Sequence, residues 1–116
     1  MDTRVAASGR RAPCAGERTS AAYTASRFAV TGMTKVAAKE LATHGIRVNS
    51  VHPGFTDTPM LQLAGPEEVL REFAAATPLG RLARPEEVSA VVVFIASDES
   101  AFVNGSGYVV DGALMR

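Results

Sequence analysis

Val30, Met33, Ala37 and Leu41 stand at steps of three, four and four, the spacing that lays apolar side chains along one face of an α-helix. Thr19 and Ser20 suit the cap at its start, the helix is expected to run to about residue 44, and Gly45 supplies the usual stop. The period then shortens. Ile46, Val48 and Val51 fall within residues 46–52, which predicts a mostly buried strand closed by Pro53-Gly54. Gly65-Pro66-Glu67-Glu68 opens a short helix to about residue 76, with proline at a tolerated first-turn position, and Thr77-Pro78-Leu79-Gly80 breaks it. Arg84-Pro85-Glu86-Glu87 repeats that start signal for a helix bearing Val88, Val91, Val92 and Ile95. Acidic pairs in both first turns suit the positive end of a helix. Asn104-Gly105-Ser106-Gly107 predicts a turn, and Tyr108-Val109-Val110-Asp111 a last short strand.

A strand, intervening helices and a second strand fit a right-handed parallel crossover. Such sheets bury both faces and bind ligands outside the carboxyl ends of their strands. The class is therefore α/β, and two strands do not make such a sheet alone, so the chain reads as a piece of something larger. Residues 1–18 stand apart, without periodicity and with few bulky apolar side chains. They are expected to form a poorly ordered tail, with residues 4–8 at best a remnant strand.

Composition narrows the classes of function. The chain's 116 residues make one domain or part of one, and 47% apolar with 21% charged residues is ordinary for a soluble globular protein. Twelve basic and twelve acidic residues cancel, which suggests no affinity for nucleic acid or an anionic membrane. Cys14 stands alone, so no internal disulfide forms and a cytoplasmic location is the default expectation. No apolar run approaches the ~20 residues that span a bilayer. Arg4, Arg10 and Arg11 are not followed by an apolar stretch, so no secretory signal is expected.

Two places carry candidate chemistry. Tyr23 and Arg27 are four residues apart, on one face of the predicted helix. A free phenol has a pKa of roughly 10 and is a poor base, but a neighbouring cation favours the phenolate and moves it toward the working range. The same spacing is common in solvated aromatic–cation pairs on helix surfaces. The second place is the turn through Pro53, Gly54, Thr56 and Thr58 at the strand's carboxyl end. Gly54 lets backbone approach a ligand closely, and Thr58 is placed to hydrogen-bond a ligand amide or simply to cap the next helix. His44 and His52 are eight residues apart with no cysteine or carboxylate pair to join them, so no metal site is expected. His44 reads as a favourable charge at a helix end, and His52 as a strand-end residue. No Gly-x-Ser-x-Gly elbow, P-loop or Gly-x-Gly-x-x-Gly occurs.

Residues 20–35, Ser-Ala-Ala-Tyr-Thr-Ala-Ser-Arg-Phe-Ala-Val-Thr-Gly-Met-Thr-Lys, resemble the active-site helix of the short-chain dehydrogenases/reductases. Residues 45–60, Gly-Ile-Arg-Val-Asn-Ser-Val-His-Pro-Gly-Phe-Thr-Asp-Thr-Pro-Met, resemble that family's next strand and nicotinamide-side turn. Arg84-Pro-Glu-Glu-Val88 and Ala96-Ser-Asp-Glu-Ser, then residues 103–112, resemble its C-terminal helix and last strand. Four motifs in order are far more specific than any one of them. The resemblance implies the C-terminal part of a Rossmann-type parallel-sheet fold over residues 19–116, with about two strands, three to four helices and the first βαβ half missing. It implies an oxidoreductase that uses NAD or NADP and passes hydride between the nicotinamide and a small-molecule alcohol or ketone. By motif position Tyr23 is the catalytic acid/base with Arg27 beside it. Both would also touch the cofactor, with Pro53, Gly54, Thr56 and Thr58 bordering the nicotinamide end. Residues 61–76 would cover the substrate. The run from Asn49 to Gly54 resembles that of hydroxysteroid and cyclic-alcohol dehydrogenases.

Two departures from the pattern change the expectation. The family has lysine where this chain has Arg27, which keeps the charge but exchanges a compact ammonium for a wide planar fork. The catalytic serine is expected thirteen residues before the tyrosine, a position held by Arg10, and Ser8 lies two residues further away. The family's cofactor-binding half has no counterpart, so a truncated gene, mis-assigned start or frameshift is expected, and the chain alone is expected to be inactive. The alternative is a non-catalytic assembly module that pairs, through surfaces bearing Val30, Met33 and residues 88–93, with a full-length relative, with another copy as a homo-oligomer, or with a complementing N-terminal half.

Overall fold

The structure, a computed structural model, describes residues 3–7, 20–63 and 65–114, with residues 3–7 and 20–24 described by backbone alone. Three strands form one parallel sheet in the order β1-β2-β3: β1 Thr3–Ala7, β2 Arg47–Pro53 and β3 Gly107–Val110. The expected α/β class with a parallel sheet is what folds, and it holds one strand more than the apolar pattern marks. β1 pairs with β2 from Thr3 against Arg47 to Ala7 against Val51, and β3 pairs from Gly107 against Ser50 to Val110 against Pro53. Backbone pairing to β2, not a strong apolar period of its own, makes residues 3–7 a strand.

The first crossover is α1, Ser20–Leu41, followed by a 3₁₀ turn Ala42–His44. Gly45 ends it with a positive φ of 72°, which glycine adopts without strain. The buried face keeps Val30, Ala37 and Leu41 of the expected stripe half-buried but is centred on their smaller neighbours. Thr34 and Ala38 are buried, while Met33 is 68% exposed. Small residues win because the helix lies close to the turn before β3. A Cβ placed on Gly105 would come within 3.3 Å of Ala38 Cβ, and Asn104 Nδ2 donates to the Ala38 carbonyl at 3.0 Å. The buried Thr34 hydroxyl is satisfied by donating to the Val30 carbonyl at 2.8 Å.

Beyond β2 come α2 Pro59–Gln62, α3 Glu67–Ala76 and α4 Pro85–Ala96, the last ending in a 3₁₀ turn Asp98–Ser100. α1 packs on β2, and α4 touches all three strands. The core gathers Ala38, Val48, Val51, Phe55, Leu61 and Ile95, with Phe55 stacked on Phe73 at 4.3 Å between ring centres. β2 is buried along Arg47 to Val51, as a central parallel strand should be.

Polar side chains inside that core hold the loops. Arg47 is buried and donates through Nη1 to Ile95 O at 2.9 Å, Ser100 Oγ at 3.0 Å and Val103 O at 3.3 Å, and through Nη2 to Ser97 O at 3.0 Å. A cation thus meets the negative end of α4, whose last carbonyls have no helical partners. Asn49 donates to Val103 O at 2.9 Å and accepts from Ser106 N at 3.0 Å, and Asn104 Oδ1 accepts from Val48 N at 2.8 Å. These bonds fix the approach to β3.

Candidate active site at the carboxyl end of the central strand

α1 starts above the carboxyl end of β2 and runs back along it, so its early turns lie where a parallel sheet binds ligands. Tyr23 lies in the first turns of α1, four residues before Arg27. Arg27 is half-buried while Ala25, Ser26, Phe28 and Ala29 are exposed, so it falls on the stripe that continues through Val30, Thr34 and Ala38. Strand alternation sends Arg47 and Asn49 toward the end of α4, and Ser50 and His52 toward the opposite face where α1 lies.

His52 is half-buried, and its Nε2 lies 2.9 Å from Ser50 Oγ. Burial first, and then the positive charge of Arg27, hold the imidazole below its ordinary pKa, which places the guanidinium within electrostatic reach of the ring.

Pro53 closes β2, and Gly54 N donates to Val110 O at 2.9 Å. Gly54 is buried, and its closest approach is to the residue after β3: a Cβ there would sit 2.6 Å from Asp111 Cα. Thr56 pairs with Ala83 in a short parallel bridge, and its hydroxyl donates to Gly54 O at 3.2 Å. Thr58 caps α2, accepting from Leu61 N at 3.3 Å. A hydroxyl that accepts there keeps its own hydrogen to donate. Pro53, Thr56 and Thr58 form one wall of a largely apolar cleft of about 430 Å³, and Val88, Ser89 and Val92 of α4 form the other. Beside it Met60 and Leu63 are 81% and 88% exposed.

Tyr23, Arg27 and the 53–58 turn therefore occupy one end of the sheet. Ser8 and Arg10 lie outside the described residues. Among the described residues no cluster of three metal-ligating side chains occurs, and no helix is long and apolar enough to cross a membrane.

Comparison with known proteins shows which family the chain belongs to. A family model described as enoyl-(acyl carrier protein) reductase matches residues 6–114, taking in every element from the end of β1 to β3. The chain belongs to the short-chain dehydrogenase/reductase family. Its relatives include cyclohexanol dehydrogenase of Acinetobacter sp. (strain SE19), 54% identical over 78% of this chain and 35% of the relative. A 3-oxoacyl-(acyl-carrier-protein) reductase of Thermotoga maritima is 50% identical over 80% of this chain and 37% of its own length. A 3-alpha-(or 20-beta)-hydroxysteroid dehydrogenase of Mycobacterium bovis is 52% identical over 78% and 32%. This short-chain dehydrogenase/reductase chain spans about a third of the length of the curated relatives it matches.

Sequence reasoning missed two groups in this family member. Arg47 and Asn49 are buried polar anchors, and the signal was a cation and an amide inside an apolar strand. His52, read as a strand-end residue, bonds Ser50 Oγ and feels the charge of Arg27 as well.

Proposed function

We propose that this chain carries the proton-transfer centre and the nicotinamide-facing wall of an NAD(P)-dependent oxidoreductase acting on a secondary alcohol or its ketone, cyclic alcohols being the favoured class. The observation that carries this reading is that Arg27, one helical turn from Tyr23, lies on the inward stripe of α1, while the Pro53-Gly54 turn closes the carboxyl end of the buried strand β2. Tyr23 exchanges a proton with the substrate oxygen, and the charge of Arg27 favours its phenolate form. The donor set fits one end of the cofactor: the Thr58 hydroxyl and the Arg27 guanidinium offer hydrogens to amide and ribose oxygens. Pro53, Gly54 and Thr56 border the same place, and Leu63, with Met60 just before the segment, gives residues 61–76 apolar surface to lay over a substrate. A bound NAD or NADP would supply the hydride acceptor for the alcohol, or the hydride donor for the ketone. No glycine-rich phosphate loop occurs in the sequence to hold the pyrophosphate, so the chain by itself is taken to be inactive, in the cytoplasm as elsewhere.

Titration of NADH or NADPH fluorescence tests this. The isolated chain is expected to leave emission unchanged, whereas enhanced, blue-shifted emission overturns the inactive-alone reading. A chimera that carries the leading two-thirds of the Acinetobacter relative should oxidise cyclohexanol. Tyr23→Phe should abolish that turnover, and unimpaired turnover in the variant sinks the role of Tyr23.

A second reading, an assembly module, is favoured by the outward face of α1, where Phe28, Met33 and Val36 are 75%, 68% and 55% exposed. Three apolar side chains on one helix suit a partner helix or a second copy. Light scattering tests it, and a clean monomer at high concentration counts against it.

A further inference from the structure

β3 runs into a turn, Asp111-Gly112-Ala113, that touches both the Pro53-Gly54 end of β2 and the loop after α3. Gly54 N donates to Val110 O at 2.9 Å, and the two backbones come so close that a Cβ on Gly54 would lie 2.6 Å from Asp111 Cα. One residue on, a Cβ on Gly112 would lie 2.7 Å from Thr77 Cγ2 and 3.4 Å from Leu79 Cδ1. Thr77 is buried and ties back to α3, its hydroxyl donating to Phe73 O at 3.0 Å, and Phe73 is the ring stacked on Phe55. The turn is therefore wedged between the segment proposed to face the nicotinamide and the one proposed to cover the substrate.

Ala113 shapes the wedge. Its φ of 70° lies in the left-handed region, and among the described residues it is the one non-glycine there. An L side chain disfavours that conformation. The buried Asp111 carboxylate offsets the cost. Its Oδ1 accepts from Ala113 N at 2.9 Å, an aspartate bonding its own backbone two residues on. Leu114 N closes the turn by donating to Asp111 O at 3.2 Å. A glycine at residue 113 would hold the same φ unaided, whereas alanine makes the turn depend on the carboxylate. We propose that Asp111 is a positioning residue for the substrate cover: its carboxylate holds Ala113 left-handed, which keeps Gly112 seated on Thr77 and Leu79 and so fixes α3 against Phe55. The inference rests on the reading of residues 61–76 as that cover.

Amide hydrogen exchange of the full chain tests this without substrate or cofactor, read by mass spectrometry over residues 67–77 and, for comparison, over 34–41 of α1. Asp111→Ala should speed exchange over 67–77 about tenfold, the weight of one hydrogen bond, and leave 34–41 unmoved. Two restorations are expected. Asp111→Asn keeps a side-chain carbonyl for Ala113 N and should return the parent rate. Ala113→Gly, added to Asp111→Ala, reaches a positive φ without the carboxylate and should recover most of the protection. In the Acinetobacter chimera Asp111→Ala should raise KM for cyclohexanol and lower kcat by less, since a loosened cover mainly weakens binding.

Unmoved exchange over 67–77 in Asp111→Ala overturns the proposal, and so does an equal rise over 34–41, the mark of general loosening. Failure of either restoration overturns it as well, because the carboxylate would then act elsewhere than through Ala113. Should Asp111→Ala not fold, the double variant decides: recovered helical circular dichroism supports the proposal, and continued unfolding overturns it. If exchange behaves as expected and KM does not move, the hold on α3 stands and the cover reading falls.

Discussion

A methyl group on Gly54 would sit 2.6 Å from Asp111 Cα and 2.8 Å from its Cβ, so backbone and not a flexible side chain fills the space beside it. Backbone cannot turn aside. Gly54→Ala is therefore expected to force the ends of β2 and β3 apart and to cost about 1–3 kcal/mol, the range for overpacking a tight site. A urea melt reads it, and an unchanged midpoint would mean that the strands are not held as close as this. The sequence points to a close approach at Gly54 because proline and glycine end a strand there, but the partner it meets is Asp111. Thr58 divides in the same way: its cap on α2 was one of two roles open to it, and Leu61 N decides that this role is filled. On the proposed function, Arg27 in place of the family's lysine is expected to carry a functional cost. In the chimera, Arg27→Lys should raise turnover tenfold to a thousandfold, since misplacing a catalytic group by ~1 Å costs on the order of a hundredfold. Equal or lower turnover would make the guanidinium the fitted cation.

The start of α4 is an element whose stability is tied to pH. Glu87 accepts from Arg84 N at 2.8 Å and takes a two-pronged contact from Arg81 at 2.7 Å on each oxygen. Those hydrogen bonds, that from Arg81 foremost, lower its carboxyl to about 2 from the ordinary 4.5. The unfolded chain therefore binds a proton that the folded chain refuses. This contribution is complete above pH 4.5 and is lost as pH falls toward 2. Glu87→Gln should flatten the fall of stability across that window, and urea melts at several acid pH values measure it. A slope identical to that of the parent would show the helix start does not depend on the carboxylate. Salt should weaken the effect, because the pair is accessible to solvent. α1 carries the other element-scale lesson. Its length and its stop at Gly45 follow from local rules, yet the face it buries runs through Thr34 and Ala38 because the turn before β3 comes so close.

For the whole molecule the decisive device is Arg47, which joins β2 to the end of α4, to Ser100 and to the loop at Val103. Arg47→Ala would strand several buried carbonyls at once. It should cost about 2–4 kcal/mol, the scale of charged hydrogen bonds lost without replacement. Thermal unfolding reads this, and a loss well under 1 kcal/mol would mean that water takes over the bonds. The alternation of buried polar anchors with valines along β2 also explains why that strand was legible while its polar contacts were not. Element type and order were written locally, in apolar period, in proline and glycine breaks and in acidic helix starts, and the order of four motifs was enough for the family. Those signals act between residues a few places apart, so the chain carries them before it folds. The tertiary structure alone decided how residues 3–7 pair with β2, that Thr34 and Ala38 rather than Met33 are buried on α1, and what Gly54 leans on. Each of these is a contact between segments far apart in sequence, set by the backbone that happens to arrive next to it.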